Sequence, residues 1–234
     1  MMPTYIIHVS TYHARKTHML EEIKGKNVEA IFVLEGDKQN MNTALVERYF
    51  NGQNPVSNAM SCSYKHLLAY EKMISANQEW ALILEDDIFL HPCFNEELNR
   101  IIQELKQRNI KNALISLEDS SLSFIERSKR IAGQRLYAKS SGRMAGAYLI
   151  DIAAAKSILK EVERKFCFLP IDWFHNHCSS AGLLNIYWTS HAIATQGSLS
   201  GRISSTLEKK PANLLKYLSF LIQRQYKQLL YWLR

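Results

Sequence analysis

Three consecutive carboxylates, Glu85, Asp86 and Asp87, directly follow the apolar run 80–84. Clustered acids repel one another unless a cation or a basic partner neutralises them. If the chain stays extended, Glu85 and Asp87 project to the same side, and two oxygen donors at that spacing suit a hard divalent ion that also takes phosphate oxygens. The triplet therefore predicts a metal and nucleotide site, with a solvated loop and a helix-capping aspartate as the alternative.

The hydrophobic pattern around the triplet predicts an α/β fold. Apolar, β-branched runs are typical of strands at residues 4–10, 28–34, 80–84, 112–117, 146–150 and 186–190. Helical spacing of apolar residues predicts helices over residues 15–24, 58–76, 95–108 and 152–165. The β-α-β order of the first elements indicates a mostly parallel sheet with helical crossovers, in which ligands bind at the carboxyl ends of the strands.

Length and composition fit one globular α/β body. The chain has 234 residues, of which 47% are hydrophobic and 22% charged, so a disordered chain is not expected. No uncharged apolar stretch reaches the roughly 18 residues of a membrane-spanning helix, and residues 1–17 lack the pattern of a signal peptide, so we expect a cytoplasmic protein. The four cysteines include no Cys-x-x-Cys pair, which favours buried free thiols over disulfides or a cysteine zinc site.

The net charge of +7 is concentrated at the C-terminal end. Residues 207–234 hold six basic residues and one acid, or +5, which leaves 23 basic and 21 acidic residues, or +2, for the rest. From Asn213 to Leu233 leucines recur at three- and four-residue steps, which predicts an amphipathic helix. We therefore divide the chain into a domain over residues 1–206 and a basic helical segment over residues 207–234 that docks on the body or lies on an anionic membrane surface.

The order of these motifs resembles glycosyltransferase family 25, the bacterial lipopolysaccharide and lipooligosaccharide transferases, over most of residues 3–206. The parts that carry the resemblance are the strand 5–10 with Arg15 beyond it, the Glu35-Gly36 turn, Cys62 and His66 in a Cys-x-x-x-His helix, the triplet 85–87, the run 146–150 and the segment 170–172. Ser61 and Lys65 stand where the family's helix motif has Gly and Ser.

The resemblance implies a GT-A-like, Rossmann-type fold that binds a UDP-sugar, most simply UDP-galactose. The triplet then stands in the place of a DxD motif: Asp87, with help from Glu85, holds Mn²⁺ or Mg²⁺ and thereby neutralises the departing UDP. Asp86 is expected to bond the ribose or the sugar. The donor-binding positions implied are His8, Arg15, Glu35, Gly36, His66, Asp86, Gly146 and Gln196.

The family forms β-linkages from α-configured donors, so the resemblance also implies inversion and one general base. Asp172 is the first candidate, since it precedes Trp173, whose ring could stack on a sugar face; the alternative is an N-cap aspartate before a helix over residues 174–179. Glu118 and Asp119, at the end of the predicted strand 112–117, are the other candidates.

The leading hypothesis is thus a galactosyltransferase that extends lipooligosaccharide at the cytoplasmic face of a Gram-negative inner membrane. The alternatives are a metal-dependent nucleotidyl or phosphoryl transferase and a nucleic-acid-binding module. The first would be expected to have a glycine-rich phosphate loop, which this sequence lacks. The second is disfavoured by the near-neutral charge of residues 1–206. His175, His177 and Cys178 form no closed zinc ligand set, although either histidine could add a ligand to the catalytic metal or simply pack. The sequence leaves the sugar, the linkage and the oligomeric state open.

Overall fold

A computed structural model describes residues 1–52, 55–204 and 212–234. Its strands and main helices are, in chain order, β1 Met2–Ile7, α1 His13–Glu22, β2 Val28–Val33, α2 Thr43–Phe50, α3 Asn58–Ser75, β3 Trp80–Glu85, β4 Ile88–Leu90, α4 Phe94–Gln107, β5 Ala113–Ser116, β6 Leu136–Lys139, β7 Ala147–Asp151, α5 Ile152–Lys165, α6 Ile171–Ser180, β8 Asn185–Thr189, β9 Ala194–Gln196, α7 Gly197–Ser200 and α8 Leu214–Leu233.

In the described part of the chain, seven strands form a central sheet in the order β2-β1-β3-β7-β5-β8-β6. Parallel pairs join β1 to β2, β1 to β3 and β5 to β8, whereas β7 is antiparallel to β3 and β5, and β6 is antiparallel to β8. Five strands therefore run one way, which confirms the expected α/β fold with a mostly parallel sheet.

The reversed direction of β7 was not predicted. A parallel return to the sheet needs a long crossover, usually a helix. The stretch between β5 and β7 instead holds β6 and one 3₁₀ turn at Arg127–Lys129, so the chain re-enters the sheet in the opposite direction.

Two apolar layers sandwich the sheet. Because side chains alternate along a strand, Tyr5 and Ile83 pack on one side, where helices α3 and α5 lie, and Ile6 and Leu82 pack on the other side against α4. Strand β3 is buried from Ala81 to Leu84. The acidic triplet thus follows one of the most enclosed strands of the molecule.

Helix α6 begins one turn earlier than the sequence suggested. Its N-cap is Pro170 and its first residue is Ile171. Asp172 therefore lies inside the first turn, and the N-cap interpretation of this residue is wrong. Pro170 has a φ of −51°, close to the value that its ring imposes, and no side chain caps the first turn of the helix.

Helix α8 contacts the body through one of its sides. Phe220 is buried, the Arg224 Nε lies 2.7 Å from an Asp119 carboxylate oxygen, and the Tyr231 ring packs edge-on against Phe124 at 5.7 Å. Docking on the body, one of the two expected behaviours, is therefore observed. The expected boundary between residues 206 and 207 lies outside the described residues.

The other side of α8 is apolar and exposed. Leu215, Leu218, Ile222, Leu229 and Leu233 recur at three-, four- and seven-residue steps and are 47 to 77% exposed. We call these five residues the outer stripe. Within the described residues, no helix combines the length and hydrophobicity needed to cross a bilayer.

Candidate active site

A cleft opens where β1 and β3 end. Its volume is about 170 Å³, and it is partly open to solvent. Its walls come from the end of β1, from α1 and α3, from the acidic triplet and from the segment after β9; among the lining residues are His8, Arg15, Ser61, Cys62, Lys65, Glu85, Asp86, Asp87, Gln196 and Ser198. This is the carboxyl edge of the parallel strands, where ligands bind in open α/β sheets.

Asp86 is held by two basic side chains. His8 Nδ1 lies 2.8 Å from Asp86 Oδ2, and Arg15 donates to Oδ1 at 2.5 Å. Arg15 also donates to the carbonyl of Ser204 at 2.6 Å. Both carboxylate oxygens of Asp86 are therefore used within the protein, and the triplet is fixed to β1 and α1.

Asp87 points one oxygen at the backbone and leaves the other without a partner. Its Oδ2 accepts the N–H of Ser198 at 3.0 Å, and its carbonyl accepts the N–H of Gly197 at 2.8 Å. The side chain is buried, and among the described residues Oδ1 has no hydrogen-bond partner. Burial raises the pKa of Asp87. A buried oxygen without a donor is costly, and a bound cation would satisfy it.

Glu85 is the second carboxylate of the cleft. Gln196 donates to its Oε2 at 2.7 Å. Its Oε1 lies 3.6 Å from His66 Nε2 and 3.8 Å from Cys62 Sγ. Burial, together with the charges of Asp87 and Asp86, raises the pKa of Glu85 to about 8. The carboxylate pair Glu85 and Asp87 thus offers the oxygen donors that Mg²⁺ and Mn²⁺ prefer.

A chain of hydrogen bonds runs from His66 into the core. His66 Nδ1 lies 2.7 Å from the Tyr148 hydroxyl, that hydroxyl lies 2.5 Å from the Tyr70 hydroxyl, and Tyr70 lies 2.7 Å from His175 Nε2. All four side chains are buried. Burial lowers the pKa of both histidines to about 3, so both rings stay neutral near pH 7.

Asp172 lies near the same group, although it is not itself among the residues that line the cleft. It is half-buried in the first turn of α6, and burial raises its pKa. Its charge acts on Glu85, His66 and Cys62. The neighbouring Trp173 side chain is 63% exposed. A half-buried carboxylate with a raised pKa beside an exposed aromatic ring is a suitable arrangement for accepting a proton from a sugar hydroxyl.

Glu118 and Asp119 have partners inside the protein, although Glu118 Oε2, like Asp87 Oδ1, has no hydrogen-bond partner among the described residues. Glu118 Oε1 accepts the N–H groups of Gly146 and Ala147 at 2.8 and 3.2 Å, and burial raises the pKa of Glu118 to about 8. Asp119 accepts from the Thr195 hydroxyl at 2.6 Å and pairs with Arg224. Both side chains are fully buried and lie outside the residues that line the cleft.

Gly146 allows the elements around Glu118 to pack closely. A Cβ at this position would lie 3.1 Å from Glu118 Oε1 and 3.3 Å from the Gln196 side chain. The carbonyl of Gly146 accepts the N–H of Glu85 at 2.8 Å. The glycine therefore allows β3, β7 and the Gln196 segment to approach one another, which is a positioning role.

Glu35 and Gly36 lie beside the cleft rather than in its wall. Glu35 is exposed, and its pairing with Lys72 at 2.7 Å lowers its pKa. Gly36 has a φ of 84° and accepts a hydrogen bond from the Ser61 hydroxyl at 2.7 Å. A side chain at Gly36 would meet the Tyr64 ring, so this turn fixes the loop after β2 to α3.

Lys65 was missed as a functional position by sequence reasoning. It is 1% exposed, pairs with Asp37 at 2.9 Å and donates to the carbonyls of Val33, Leu34 and Glu35. A lysine within a mostly buried helix segment was the available signal. Its ammonium group therefore anchors the loop after β2 and lies in the cleft wall.

Of the remaining histidines, His177 lies 3.1 Å from Glu161, and His175 ends the buried chain described above. Neither stands among the residues that line the cleft. Of the two alternatives for these residues, a ligand to the catalytic metal or packing, the geometry supports packing and partner contacts.

Comparison with known proteins shows which family this chain is similar to. Residues 1–175 match the model of glycosyltransferase family 25 (LPS biosynthesis protein). A protein of Aedes aegypti called a glycosyltransferase 25 family member is 25% identical over 137 residues, which is 56% of this chain and 21% of that protein. A protein of the same description from Anopheles gambiae is 26% identical over 204 residues, or 80% of this chain and 33% of that protein. The chain thus spans a third or less of the length of these relatives.

Solved structures are less similar. A197 from STIV has a TM-score of 0.43 at 9% identity and covers 80% of this chain and 81% of its own. A Bacillus anthracis structure described as a glucose-1-phosphate thymidylyltransferase, in complex with a sucrose, has a TM-score of 0.40 at 12% identity and covers 84% and 90%. Likenesses at this level carry no functional argument.

Proposed function

This chain belongs to glycosyltransferase family 25, and we propose that it transfers a hexose, most simply galactose, from a UDP-sugar to a hydroxyl of a lipooligosaccharide or lipopolysaccharide acceptor with formation of a β-linkage. The observation that carries the proposal is the buried, partnerless Asp87 Oδ1 in a cleft at the carboxyl ends of β1 and β3. Family membership favours glycosyl transfer over nucleotidyl transfer, and we propose no nucleic-acid partner.

Asp87 and Glu85 would hold Mn²⁺ or Mg²⁺, which supplies positive charge to the diphosphate of the donor. Asp86 would not contact the donor directly. It would instead hold Arg15 and His8 in the wall of the cleft, so that the guanidinium group can face an anionic ligand. Gln196 would orient Glu85 through its hydrogen bond to Oε2.

We assign the general-base role to Asp172. As the acceptor oxygen bonds to the anomeric carbon and the bond from that carbon to the UDP oxygen breaks, Asp172 would take the acceptor proton. Its raised pKa, caused by burial, brings it closer to that of a hydroxyl group that is losing its proton. The exposed Trp173 ring would offer an apolar face to the acceptor sugar.

We further propose that the outer stripe of α8 rests on an anionic membrane surface, at the cytoplasmic face of a Gram-negative inner membrane. The stripe is exposed in the described structure, and the segment that contains it, residues 207–234, carries a net charge of +5. An exposed apolar stripe on a basic segment matches the chemistry of an anionic bilayer interface. A peripheral position would bring the cleft close to a lipid-anchored acceptor.

Calorimetric titration of UDP into the full chain, with and without Mn²⁺, tests the donor proposal directly. We expect binding that is strengthened by Mn²⁺ in the native protein and loses this dependence in Asp87→Asn. The matched control is Asp119→Asn, which changes an equally buried carboxylate outside the cleft and should bind UDP as the native protein does. Equal affinity with and without Mn²⁺ would overturn the metal role, and no UDP binding at all would overturn the donor class.

A further inference from the structure

Cys62, His66 and Glu85 form a compact group beside the cleft, in which Cys62 and Glu85 line the cleft and His66 is fully buried. Cys62 and His66 are four residues apart on α3, so their side chains lie on the same face of the helix, and β3 brings Glu85 against them. One ligand atom from each residue, Sγ, Nε2 and Oε1, lies within 4.8 Å of the other two. The sequence alone indicated no cysteine metal site, because the third group is 19 or more residues away along the chain and meets the helix only in the fold.

The separations suit one small ion. Around a tetrahedral Zn²⁺, bonds of about 2.3 Å to sulfur and about 2.0 Å to nitrogen or oxygen place neighbouring ligand atoms roughly 3.3 to 3.6 Å apart. The observed distances from Glu85 Oε1 are 3.6 Å to His66 Nε2 and 3.8 Å to Cys62 Sγ. A contraction of a few tenths of an ångström would complete the set.

His66 Nε2 supplies an independent sign of a ligand. The side chain is fully buried, and among the described residues Nε2 has no hydrogen-bond partner, although it faces Glu85 and Cys62. The other ring nitrogen is bound to the Tyr148 hydroxyl. Metal-ligating histidines characteristically bind a second polar group through the nitrogen that does not face the metal, which fixes the tautomer.

The buried chain allows a proton arrangement that frees Nε2. His66 Nδ1 donates to Tyr148, Tyr148 donates to Tyr70, and Tyr70 donates to His175 Nε2, at the short distances given above. In that arrangement every hydroxyl proton has an acceptor and the Nε2 lone pair faces Glu85. Tyr148, Tyr70 and His175 then act as positioning residues for a ligand that they do not touch.

We propose that Cys62, His66 and Glu85 bind a borderline-soft divalent transition ion of the Zn²⁺ or Co²⁺ class, with the fourth position open towards the cleft. Thiolate and imidazole ligands select such ions, whereas Mg²⁺ prefers oxygen ligands alone. The Cys62 proton is released to solvent when the ion binds. This inference is independent of sugar transfer, since it requires only the apo protein and the metal, although Glu85 would be shared with the donor-metal site.

Titration of CoCl₂ into the metal-stripped, full-length protein tests the site. We expect one equivalent to produce a thiolate-to-cobalt charge-transfer band in the near ultraviolet together with the intense visible bands of tetrahedral Co²⁺, and one equivalent of ZnCl₂ to remove both. Cys62→Ser should abolish the charge-transfer band. Cys93→Ser is the matched control, because Cys93 is exposed and lies outside the cleft, and it should leave the band unchanged.

Two further variants separate this site from its neighbours. Tyr148→Phe, with folding checked by circular dichroism, should weaken Zn²⁺ binding by about 10- to 100-fold because the His66 tautomer is no longer fixed. Asp87→Asn should lose Mn²⁺-dependent UDP binding and keep the cobalt band. The proposal is overturned if the native protein gives no thiolate band, if the band survives Cys62→Ser, or if Asp87→Asn removes it.

Discussion

Two acidic segments of this protein follow buried parallel strands, but their carboxylates have different surroundings. Residues 85–87 follow β3 and residues 118–119 follow β5, and the two strands run in the same direction. After β3, Glu85 and Asp87 line a cleft, and Asp87 Oδ1 has no hydrogen-bond partner among the described residues. After β5, two backbone N–H groups, Thr195 and Arg224 engage the carboxylates and bury them. Glu118 Oε2 also lacks a hydrogen-bond partner, so the two segments differ in access to the cleft: an acid after a strand indicates a site where its side chain lines a cleft.

The second segment is closed because other elements cover it. Asp119 donates its backbone N–H to Ala194, and the Ser120 hydroxyl accepts the N–H of Gln196, so β9 runs beside the segment. Helix α8 then adds Arg224. The same β9 delivers the Gln196 side chain to Glu85. One short strand therefore seals one acidic segment while it helps to shape the other.

Asp172→Asn should have the largest effect on activity. The amide cannot accept the acceptor proton, so we expect turnover to fall by about 10² to 10⁴-fold while UDP binding is retained. Steady-state rates with a UDP-sugar donor panel, beside UDP calorimetry, measure the two quantities separately. A near-normal rate would move the base to Glu118 or Asp119 and would erase the contrast between the two segments.

Asp87→Asn should follow. Losing one carboxylate charge from the donor-metal site should lower Mn²⁺-dependent turnover by roughly 10² to 10³-fold, as for other electrostatic groups that act on a leaving group. Asp119→Asn, measured in the same assay, should stay within a few-fold of the native rate. If the two variants lose activity equally, the partnered segment is as important for turnover as the open one.

Glu118→Gln should change stability with pH rather than activity. The pKa of Glu118 is raised to about 8 in the folded state from about 4.3 when unfolded. Between these values the folded state keeps a proton that the unfolded state has lost, so its contribution to stability is present at low pH and is lost as pH rises towards 8. Urea unfolding at pH 5, 7 and 9 should show the variant gaining stability relative to the native protein as pH rises; a constant difference would mean that Glu118 is ionised in the fold.

The smallest effect is expected at the outer stripe. Ile222→Glu places a charge on the exposed apolar side of α8 and should weaken binding to vesicles that contain anionic phosphatidylglycerol by several-fold, with the unfolding free energy changed by no more than about 0.5 kcal/mol. Gln223→Glu adds the same charge at the next, exposed position, off the stripe, and is the control. Equal losses in a vesicle co-sedimentation assay would reduce the effect to net charge.

Long, strongly patterned elements were predictable from the sequence. Helix α5 was expected over residues 152–165 and is found at Ile152–Lys165, because its apolar spacing and the capping Asp151 are local features. Strands β4, β6 and β9 were not identified. They have three or four residues each, too few for a periodic signal, and β4 pairs with β9 about a hundred residues along the chain.

The candidate site was likewise predictable only in part from the sequence. The position of the triplet at a strand end followed from sequence, since apolar runs before polar residues mark where a strand stops. The sequence did not show which carboxylate oxygens already have hydrogen-bond partners, because only the fold brings Arg15, His8 and Ser198 next to Asp86 and Asp87. The Cys62 and His66 spacing was visible as a helix-face pair, but its third partner depended on where β3 lies in the sheet.

The cleft also has an order of assembly. Arg15 bonds to Ser204 across 189 residues of chain, and Gln196 bonds to Glu85 across 111. During synthesis, the residues of β1, α1, α3 and β3 that line the cleft leave the ribosome long before Gln196 and Ser198. Until then, the acidic triplet lacks its contacts with these two residues. Contacts this distant in sequence are slow to form, and we expect the proposed nucleotide binding to appear only after residues 196–204 have emerged from the exit tunnel.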